Sequence, residues 1–263
     1  MEDLSPDLPS DLPFGVVETT LLNGRVDLWQ PAKGYRIGMD GALLAAAAAG
    51  VLAEDRVKPV RVLELGCGVG GVMLSLFRRC PQVVATGIER EPQSFELLQE
   101  NIKRNDPAAR HIAINGDVGK GFKSFGLERF DMVMSNPPYF DDPTLLRAPH
   151  ELKRPAWIAD DGLSAWTEFA QSSVKDGGEI LFVHRADRLF DLLNGLSGRC
   201  GSFIIRPIQP FVDQPAKRVI VRAKRLGKAP LKLLPPLVLH DDGDRKHTPE
   251  VEAILRGEAL LGW

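Results

Sequence analysis

Residues 62–71 read VLELGCGVGG, a short apolar run that leads directly into a turn containing four glycines. An apolar run bounded by glycine is typical of a buried strand, and the apolar residues within 72–79 favour a helix after the turn. Glycines at such a junction permit a tight turn and let a ligand lie against bare backbone at the start of the helix. The stretch therefore predicts a strand–turn–helix unit that binds a ligand.

Outward from this unit, apolar strands alternate with helices along most of the chain. Strands are predicted at 60–65, 83–88, 111–114, 130–135, 179–184, 202–208 and 218–223. Helices are predicted at 72–79, 92–105, 162–174 and 186–196, with a short one from Pro249. Alternation of this kind indicates an α/β fold with a Rossmann-like, doubly wound sheet that is mostly parallel.

The two ends of the chain have a different character. Residues 1–13 are acidic and proline-rich, which predicts an extended, mobile leader and not a signal peptide. Residues 14–263 are expected to form a single domain, with a lead-in of about 14–58 and a C-terminal extension of about 227–263. Within the lead-in we expect a Gly- and Lys-rich loop, followed by a helix that Asp40 caps.

Composition limits the class of protein. Hydrophobic residues make up 44% and charged residues 26%, as in ordinary soluble globular proteins. No stretch approaches the roughly 20 apolar residues that cross a bilayer. The three cysteines, Cys67, Cys80 and Cys200, show no CxxC spacing, which fits a reducing cytoplasm and no structural zinc. With a net charge of -2, any nucleic-acid site must be a local basic patch.

Carboxylates lie at or near the ends of three predicted strands. Glu89 is expected to hold ribose hydroxyls, each through a charge-assisted hydrogen bond of about 1.5–3 kcal/mol. Glu64, two residues before the first glycine, can meet a cationic amino group. Asp117 can accept a hydrogen bond from the N6 of an adenine, while the backbone N–H of Val118 faces the ring.

Two cofactors fit a glycine turn of this kind. Gly66, Gly68 and Gly71 satisfy the G-x-G-x-x-G pattern of dinucleotide sites, so NAD is an alternative. A dinucleotide would place phosphate in the turn, where Glu64 would repel it. S-adenosylmethionine would instead present its cationic amino group to that carboxylate. The joint spacing of the acids therefore favours S-adenosylmethionine.

Residues 136–139 read NPPY and follow a predicted strand directly. The prolines fix φ, supply no N–H donors and hold Asn136 extended. What this corner offers is acceptors, namely the Asn136 side-chain oxygen and the Pro137 carbonyl, with the Tyr139 ring available for stacking. It therefore predicts a site for a planar, conjugated amino group, which either an adenine base or a glutamine amide would supply.

Together these segments resemble the class I S-adenosylmethionine-dependent methyltransferases with an N-P-P-Y motif. More closely, the chain resembles the bacterial tRNA1(Val) adenine-37 N6-methyltransferase family. The resemblance covers most of residues 30–263, with its most informative segments at 34–44, 64–70, 136–140 and 215–219. It implies an antiparallel closing strand, S-adenosylmethionine as cofactor and methylation of adenine N6 in RNA, with tRNA favoured. His247-Thr248 stands where this family usually has Tyr-Thr.

The motifs and the resemblance together imply the site residues. Asn136, Pro137 and Tyr139 are expected to be catalytic. The expected cofactor-binding residues are Arg36, Asp40, Glu64, Gly66, Cys67, Gly68, Gly70, Glu89, Arg90, Asp117, Val118 and Asn136. The expected RNA-binding residues are Pro138, Phe140, Arg147, Lys153, Arg154, Lys217, Arg218, Arg222, Lys224 and Arg225. The basic residues among them form two clusters in sequence, and basic clusters contact phosphate.

Three other functions are open at this point. Protein-glutamine methyltransferases acting on release factors share N-P-P-Y but carry a separate helical domain before the glycine turn, whereas here only residues 1–65 precede it. A dinucleotide oxidoreductase is disfavoured by Glu64. A cofactor-binding module without activity is disfavoured because Asn136 and Tyr139 are both present.

Overall fold

The computed structural model describes residues 15–33, 36–53, 59–138, 162–241 and 246–263, and a nine-stranded sheet organises them. The strands are β1 (Val16–Leu21), β2 (Val26–Pro31), β3 (Val60–Leu65), β4 (Val83–Glu89), β5 (Ile112–Asn115), β6 (Phe130–Ser135), β7 (Val174–Arg185), β8 (Cys200–Gln209), β9 (Arg218–Arg225), β10 (Lys232–Leu233) and β11 (Leu237–Val238). The helices are α1 (Met39–Leu52), α2 (Gly71–Arg79), α3 (Pro92–Asn105), α4 (Leu163–Ser173), α5 (Leu189–Ser197) and α6 (Pro249–Arg256).

The strand order is β10-β8-β9-β7-β6-β3-β4-β5, and β11 also pairs with β8. Strands β3 to β7 are mutually parallel, whereas β9 runs antiparallel between β7 and β8. The predicted α/β sheet with an antiparallel closing strand is therefore confirmed. We call the side of the sheet where β3 to β7 end the carboxyl edge. Because β8 and β11 run in the same direction as β7, they also end there.

Strand β3 shows why this sheet is buried on both faces. Val62 belongs to one hydrophobic core, whereas Leu63 and Leu65 belong to the other. Successive side chains of a strand point to opposite faces, so a continuous apolar run fits a strand covered on both sides. Helices α1 to α3 cover the first face, and α4 and α5 cover the second. None of the helices in the described ranges is long and apolar enough to span a membrane.

The prediction of a loop in the lead-in was wrong, because β1 and β2 form an antiparallel hairpin there. Its turn contains Asn23-Gly24, with Asn23 at φ 57° and Gly24 at φ 80°. Asn-Gly is a strong hairpin signal because both residues tolerate positive φ. That signal was present in the sequence and the loop prediction overlooked it.

The prediction that Asp40 caps α1 was also wrong. Gly38 occupies the N-cap position, and no side chain caps this helix end. Asp40 lies in the first turn, where its Oδ2 accepts a hydrogen bond from Arg218 Nε at 3.1 Å. The start of α1 is therefore tied to the start of β9, a partner 178 residues away that local sequence reasoning could not supply.

The C-terminal extension returns to the N-terminal half of the chain. Helix α6 was predicted and is confirmed, whereas the short strands β10 and β11 were not predicted. Beyond α6, Leu261 N–H donates to Ala46 O and Trp263 Nε1 donates to Ala47 O. The end of the chain therefore covers the alanine-rich helix α1. This explains why a helix with such small side chains is almost entirely buried.

Asn101 is fully buried on α3 and joins three parts of the fold. Its Oδ1 accepts from Trp29 N at 2.8 Å, and its Nδ2 donates to Trp29 O and Val69 O at 2.9 Å each. One amide side chain thus attaches the hairpin strand β2 and the turn before α2 to the same helix.

We expect Asn101→Ala to lower the free energy of unfolding by about 3 kcal/mol, because it leaves Trp29 and Val69 with unsatisfied buried polar groups. Urea denaturation followed by circular dichroism measures this. Gln99→Ala, an exposed position on the same helix, is the matched control and should change stability by less than about 0.5 kcal/mol. Equal stability of the two variants would contradict the bridging role.

Candidate active site

The turn between β3 and α2 has a backbone that only glycine adopts easily. Gly66, Gly68 and Gly70 all have positive φ, at 62°, 55° and 89°. At Gly66 a Cβ atom would lie 2.5 Å from the Trp166 ring of α4, so a side chain would also collide there. The turn therefore presents bare backbone at the start of α2, as the sequence predicted.

Glu89, at the end of β4, holds this turn. Its Oε2 accepts from Gly68 N at 2.8 Å, and its Oε1 accepts from Glu91 N at 2.7 Å. The carboxylate is half-buried and lies where β4 meets the carboxyl edge, beside the glycine turn. This is the position in which it can also accept from the hydroxyls of a bound ribose.

Glu64 is buried at 2% exposure, and its Oε2 accepts from Met73 N at 2.9 Å. Burial raises the pKa of this carboxyl well above its ordinary value, and the nearby negative charge of Glu89 raises it further, whereas the Met73 N–H lowers it. Burial favours the neutral form of a carboxyl, and a cation close to it would favour the charged form. A ligand with a cationic amino group would supply one.

Asp117 follows β5 and has both of its oxygens engaged. Oδ1 accepts from Gly119 N at 2.8 Å, and Oδ2 lies 3.3 Å from Arg90 Nη1. Arg90 and Asp117 thus stand side by side after β4 and β5, next to the buried Val118. Their arrangement forms one wall beyond Glu89 on the carboxyl edge.

A cleft opens beside the glycine turn. The residues lining it are Ile37, Glu64, Gly66, Cys67, Gly68, Val69, Gly71, Val72, Ser94 and Asn136. It brings the half-buried Asn136, which follows β6, onto the same cavity as Glu64 and the turn. Pro137 beside it is buried and Pro138 is exposed. Glu64 and Asn136, 72 positions apart in sequence, therefore share one site.

Several expected site residues do not line this cleft or lie outside the described ranges. Asp40 pairs with Arg218, and Arg36 is exposed just before α1. The residues outside the described ranges are Tyr139, Phe140, Arg147, Lys153 and Arg154, together with the leader 1–13.

The basic residues grouped by sequence on the last long strand are separated by the structure. Strand β9 begins at the carboxyl edge with Arg218 and ends at the opposite edge, where Lys224 pairs with Glu179 of β7. Seven residues of strand span about 24 Å. Only Lys217 and Arg218 therefore lie on the same edge as Asn136.

Besides Arg218, which pairs with Asp40, two more of these arginines form ion pairs with acids of β7. Arg222 donates to both oxygens of Glu179, at 3.1 and 3.2 Å. Arg225 is buried and donates to Asp176 Oδ1 and to Gln171 O. Their prediction as RNA-binding residues is corrected accordingly, because alternating basic residues on a strand also point into the fold.

Sequence reasoning missed three residues that shape the site. Ile37 and Ser94 line the cleft, and Trp166 packs its ring on Gly66. Ile37 belongs to the segment 34–44 noted above but was not assigned to the site, and no motif marked Ser94 or Trp166, since each reaches the site from a different element. His184, by contrast, was expected to be a core histidine and is buried on β7, where burial lowers its pKa to about 4.

The residues present fit S-adenosylmethionine. Glu64 offers a buried carboxyl to the cationic amino group, Glu89 offers acceptors to the ribose, and the glycine turn leaves room for close backbone approach. Asp117 and Val118 follow β5 at the carboxyl edge but do not line the cleft, and their role at the adenine stays a prediction. Among the described residues, no cluster of His, Cys, Asp and Glu side chains is placed to bind a metal ion.

Comparison with known sequences agrees with this geometry. Residues 47–152 match the methyltransferase small domain family. A tRNA1(Val) (adenine(37)-N6)-methyltransferase from Porphyromonas gingivalis is 29% identical over 202 residues, 74% of this chain and 77% of that protein. The protein of the same name from Actinobacillus succinogenes is 32% identical, over 58% of this chain and 62% of that protein. A release factor glutamine methyltransferase from Salmonella typhimurium is 33% identical, over 51% and 49%.

Solved structures share the fold. A protein from Agrobacterium tumefaciens described as a predicted O-methyltransferase matches with a TM-score of 0.69 at 24% identity, covering 85% of this chain and 99% of that one. A Listeria monocytogenes protein assigned to the class I S-adenosylmethionine-dependent methyltransferases matches with a TM-score of 0.58 at 17% identity, covering 82% and 67%.

The sheet order and the glycine turn give this chain the fold of the class I S-adenosylmethionine-dependent methyltransferases. The match to the methyltransferase small domain family and the relatives above support an S-adenosylmethionine-dependent methyltransferase. The chain's resemblance to the tRNA1(Val) (adenine(37)-N6)-methyltransferases is confirmed by the relatives that share that name. The chain spans from about half to about three quarters of the length of the three relatives described above.

The raised pKa of Glu64 predicts that cofactor binding releases a proton. A cationic amino group near the carboxylate lowers its pKa, so between the bound and the free pKa values the proton leaves on binding. Affinity for S-adenosylmethionine should consequently rise with pH through that window. Calorimetric titration in buffers of different ionisation enthalpy measures the proton directly. Glu64→Gln should bind more weakly and release none; wild-type binding without proton exchange at any pH would refute the pairing.

Proposed function

We propose that this chain methylates the exocyclic N6 of an adenine in RNA, with tRNA as the substrate and the cytoplasm as its location. The observation that carries the proposal is the cleft shared by Asn136 and the cofactor turn. The names of the relatives from P. gingivalis and A. succinogenes support the choice of adenine in tRNA.

An exocyclic amino nitrogen is a poor nucleophile because its lone pair is conjugated into the ring. Asn136 Oδ1 and the Pro137 carbonyl are the acceptors that would bind the two N6 protons and turn the lone pair towards the cofactor side of the cleft. Two prolines in succession make this corner rigid, so the acceptors are fixed before the substrate arrives. Tyr139 is proposed to stack on the base.

The bound cofactor supplies an electrophilic methyl group. The protein then has to align the amino nitrogen and stabilise the positive charge that builds on it. Acceptors at Asn136 and Pro137 serve both purposes, since they interact more strongly with a cationic nitrogen than with a neutral one. A strong general base is not needed, because the methylated product loses its extra proton readily.

A protein-glutamine substrate is the second candidate. A glutamine amide presents the same conjugated –NH2 group, and the S. typhimurium relative named for that reaction matches this chain over 51% of its length. The relatives named for tRNA include one that matches over 74%. The longer match favours RNA, and the product of the reaction distinguishes the two.

The test is transfer of labelled methyl from S-adenosylmethionine to total unmodified tRNA, followed by digestion and nucleoside analysis. We expect label in N6-methyladenosine. Label in another nucleoside, or in a translation factor and not in tRNA, would refute the proposal.

In the same assay, Asn136→Ala should lower turnover by about 10² or more, because it removes an acceptor that acts mainly in the transition state. Its affinity for S-adenosylmethionine should stay near that of the wild type. Asn194→Ala, an exposed asparagine on α5, is the matched control and should retain full activity. Full activity of Asn136→Ala would eliminate the corner as the catalytic element.

A further inference from the structure

A stack of three rings lies at the carboxyl edge, outside the cleft. The Phe211 and His240 ring centroids are 5.3 Å apart, and those of His240 and His247 are also 5.3 Å apart, with the imidazole planes inclined by only 26°. All three side chains are half-buried, so each keeps part of its surface in solvent. We call this group the ring stack.

The backbone holds the ring stack in place. His240 N donates to Pro210 O at 2.9 Å, which joins the segment after β11 to the segment after β8. Thr248 N donates to Leu239 O at 3.0 Å, and Thr248 Oγ1 donates to Val238 O at 2.9 Å, which fixes the residue after His247. His240 Nδ1 donates to Lys246 O at 2.7 Å, which sets the orientation of its ring. Such a group is pre-organised, so a ligand would bind it at little entropic cost.

The ring stack lies on the same edge of the sheet as the catalytic corner. Asn136 follows β6, and Phe211 follows β8 with one residue between them. Strand β8 lies three strands from β6 in the order β6-β7-β9-β8. Neighbouring strands are about 4.8 Å apart, which puts the ring stack about 14 Å along the edge from the corner. That separation is a few nucleotides of a single-stranded chain.

The charges nearby are mixed, with cations close to the rings. Lys217 and Lys246 are exposed, Lys246 being adjacent to His247. Asp213 and Asp241 are exposed in the same segments. Burial lowers the pKa of His247, as do His240 and Lys246, so its imidazole is neutral at pH 7. Proteins bind unpaired bases by stacking them on aromatic rings that have cations nearby, and histidine is one of the residues used.

We propose that the ring stack of Phe211, His240 and His247 binds an unpaired nucleobase of the RNA, a few nucleotides from the adenine that enters the cleft. The proposal rests on the proposed function for its ligand class. It gives the C-terminal extension, which supplies His240 and His247, a role in substrate binding. His247, at the position where the resembled family has tyrosine, is then one aromatic ring in place of another.

The test measures binding of total unmodified tRNA by filter retention across a salt series. Phe211→Ala and His240→Ala should each raise the Kd by about 5-fold or more, as expected for loss of one stacking ring. The slope of log Kd against log salt should not change, because no phosphate contact is lost. His240→Phe should restore binding. Ile112→Ala, which truncates an exposed apolar side chain on β5, at the other end of the strand order from β8, is the control and should bind normally.

A second measurement needs no variant. Modification of the wild-type histidines by diethylpyrocarbonate, read by mass spectrometry, should be slowed at His240 when tRNA is added. Equal modification with and without tRNA, or unchanged Kd values in Phe211→Ala and His240→Ala, would overturn the proposal and leave the rings a purely structural role. Melting temperatures of the variants exclude unfolding as the cause of weak binding.

The outcomes separate this inference from the proposed function. If the wild type forms N6-methyladenosine but the variants bind tRNA normally, the inference fails and the function stands. If the wild type forms no methylated adenine while tRNA protects His240, the function fails and the ring stack is still a nucleic-acid site.

Discussion

Side chains that form hydrogen bonds with the backbone fix the conformation of the turn between β3 and α2. The site depends on this arrangement. Glu89 accepts from Gly68 N, Asn101 donates to Val69 O, and Glu64 accepts from Met73 N in the first turn of α2. The positive φ angles of the glycines place these polar groups where the acids reach them. Glu64, which accepts from the first turn of α2, also lines the cofactor cleft, so stability and binding share the same carboxyl group. At Glu64 this sharing has a cost, because burial raises the pKa of the carboxyl and so favours its neutral form until a cationic group binds beside it.

Parallel pairing of strands assembles the rest of the site. Because β3, β4, β5 and β6 all end at the carboxyl edge, the residues that follow them meet although they are far apart in sequence. Ligands of open α/β sheets bind at this edge for the same reason. The antiparallel strand β9 has the opposite effect, since it carries its basic residues from the carboxyl edge to the far edge. A basic cluster in sequence is therefore split between the carboxyl edge and ion pairs with acids of β7.

The parts of the chain outside the alternating strands and helices complete the fold by long-range contacts. The hairpin β1–β2 is attached through Asn101, and the end of the chain covers α1 through Leu261 and Trp263. These contacts have little local signature, because a buried amide on a helix and a tryptophan near a chain end look ordinary in sequence. A further long-range hydrogen bond, from His240 N to Pro210 O, brings His240 and His247 beside Phe211, which follows a strand of the main sheet.

Local sequence determined the elements and the chemistry of the site. Apolar runs of strand length, glycines in a strand–helix turn, and an Asn-Pro-Pro corner have local causes, namely side-chain periodicity and restricted φ, and these are readable one segment at a time. The hairpin too was readable from Asn23-Gly24, although it was overlooked. Tertiary structure alone decided what each polar group contacts: Asp40 binds Arg218 and does not cap its helix, and Arg222 and Arg225 pair with acids of β7. The physical reason is that a hydrogen bond is fixed by distance in space, and strand order sets that distance.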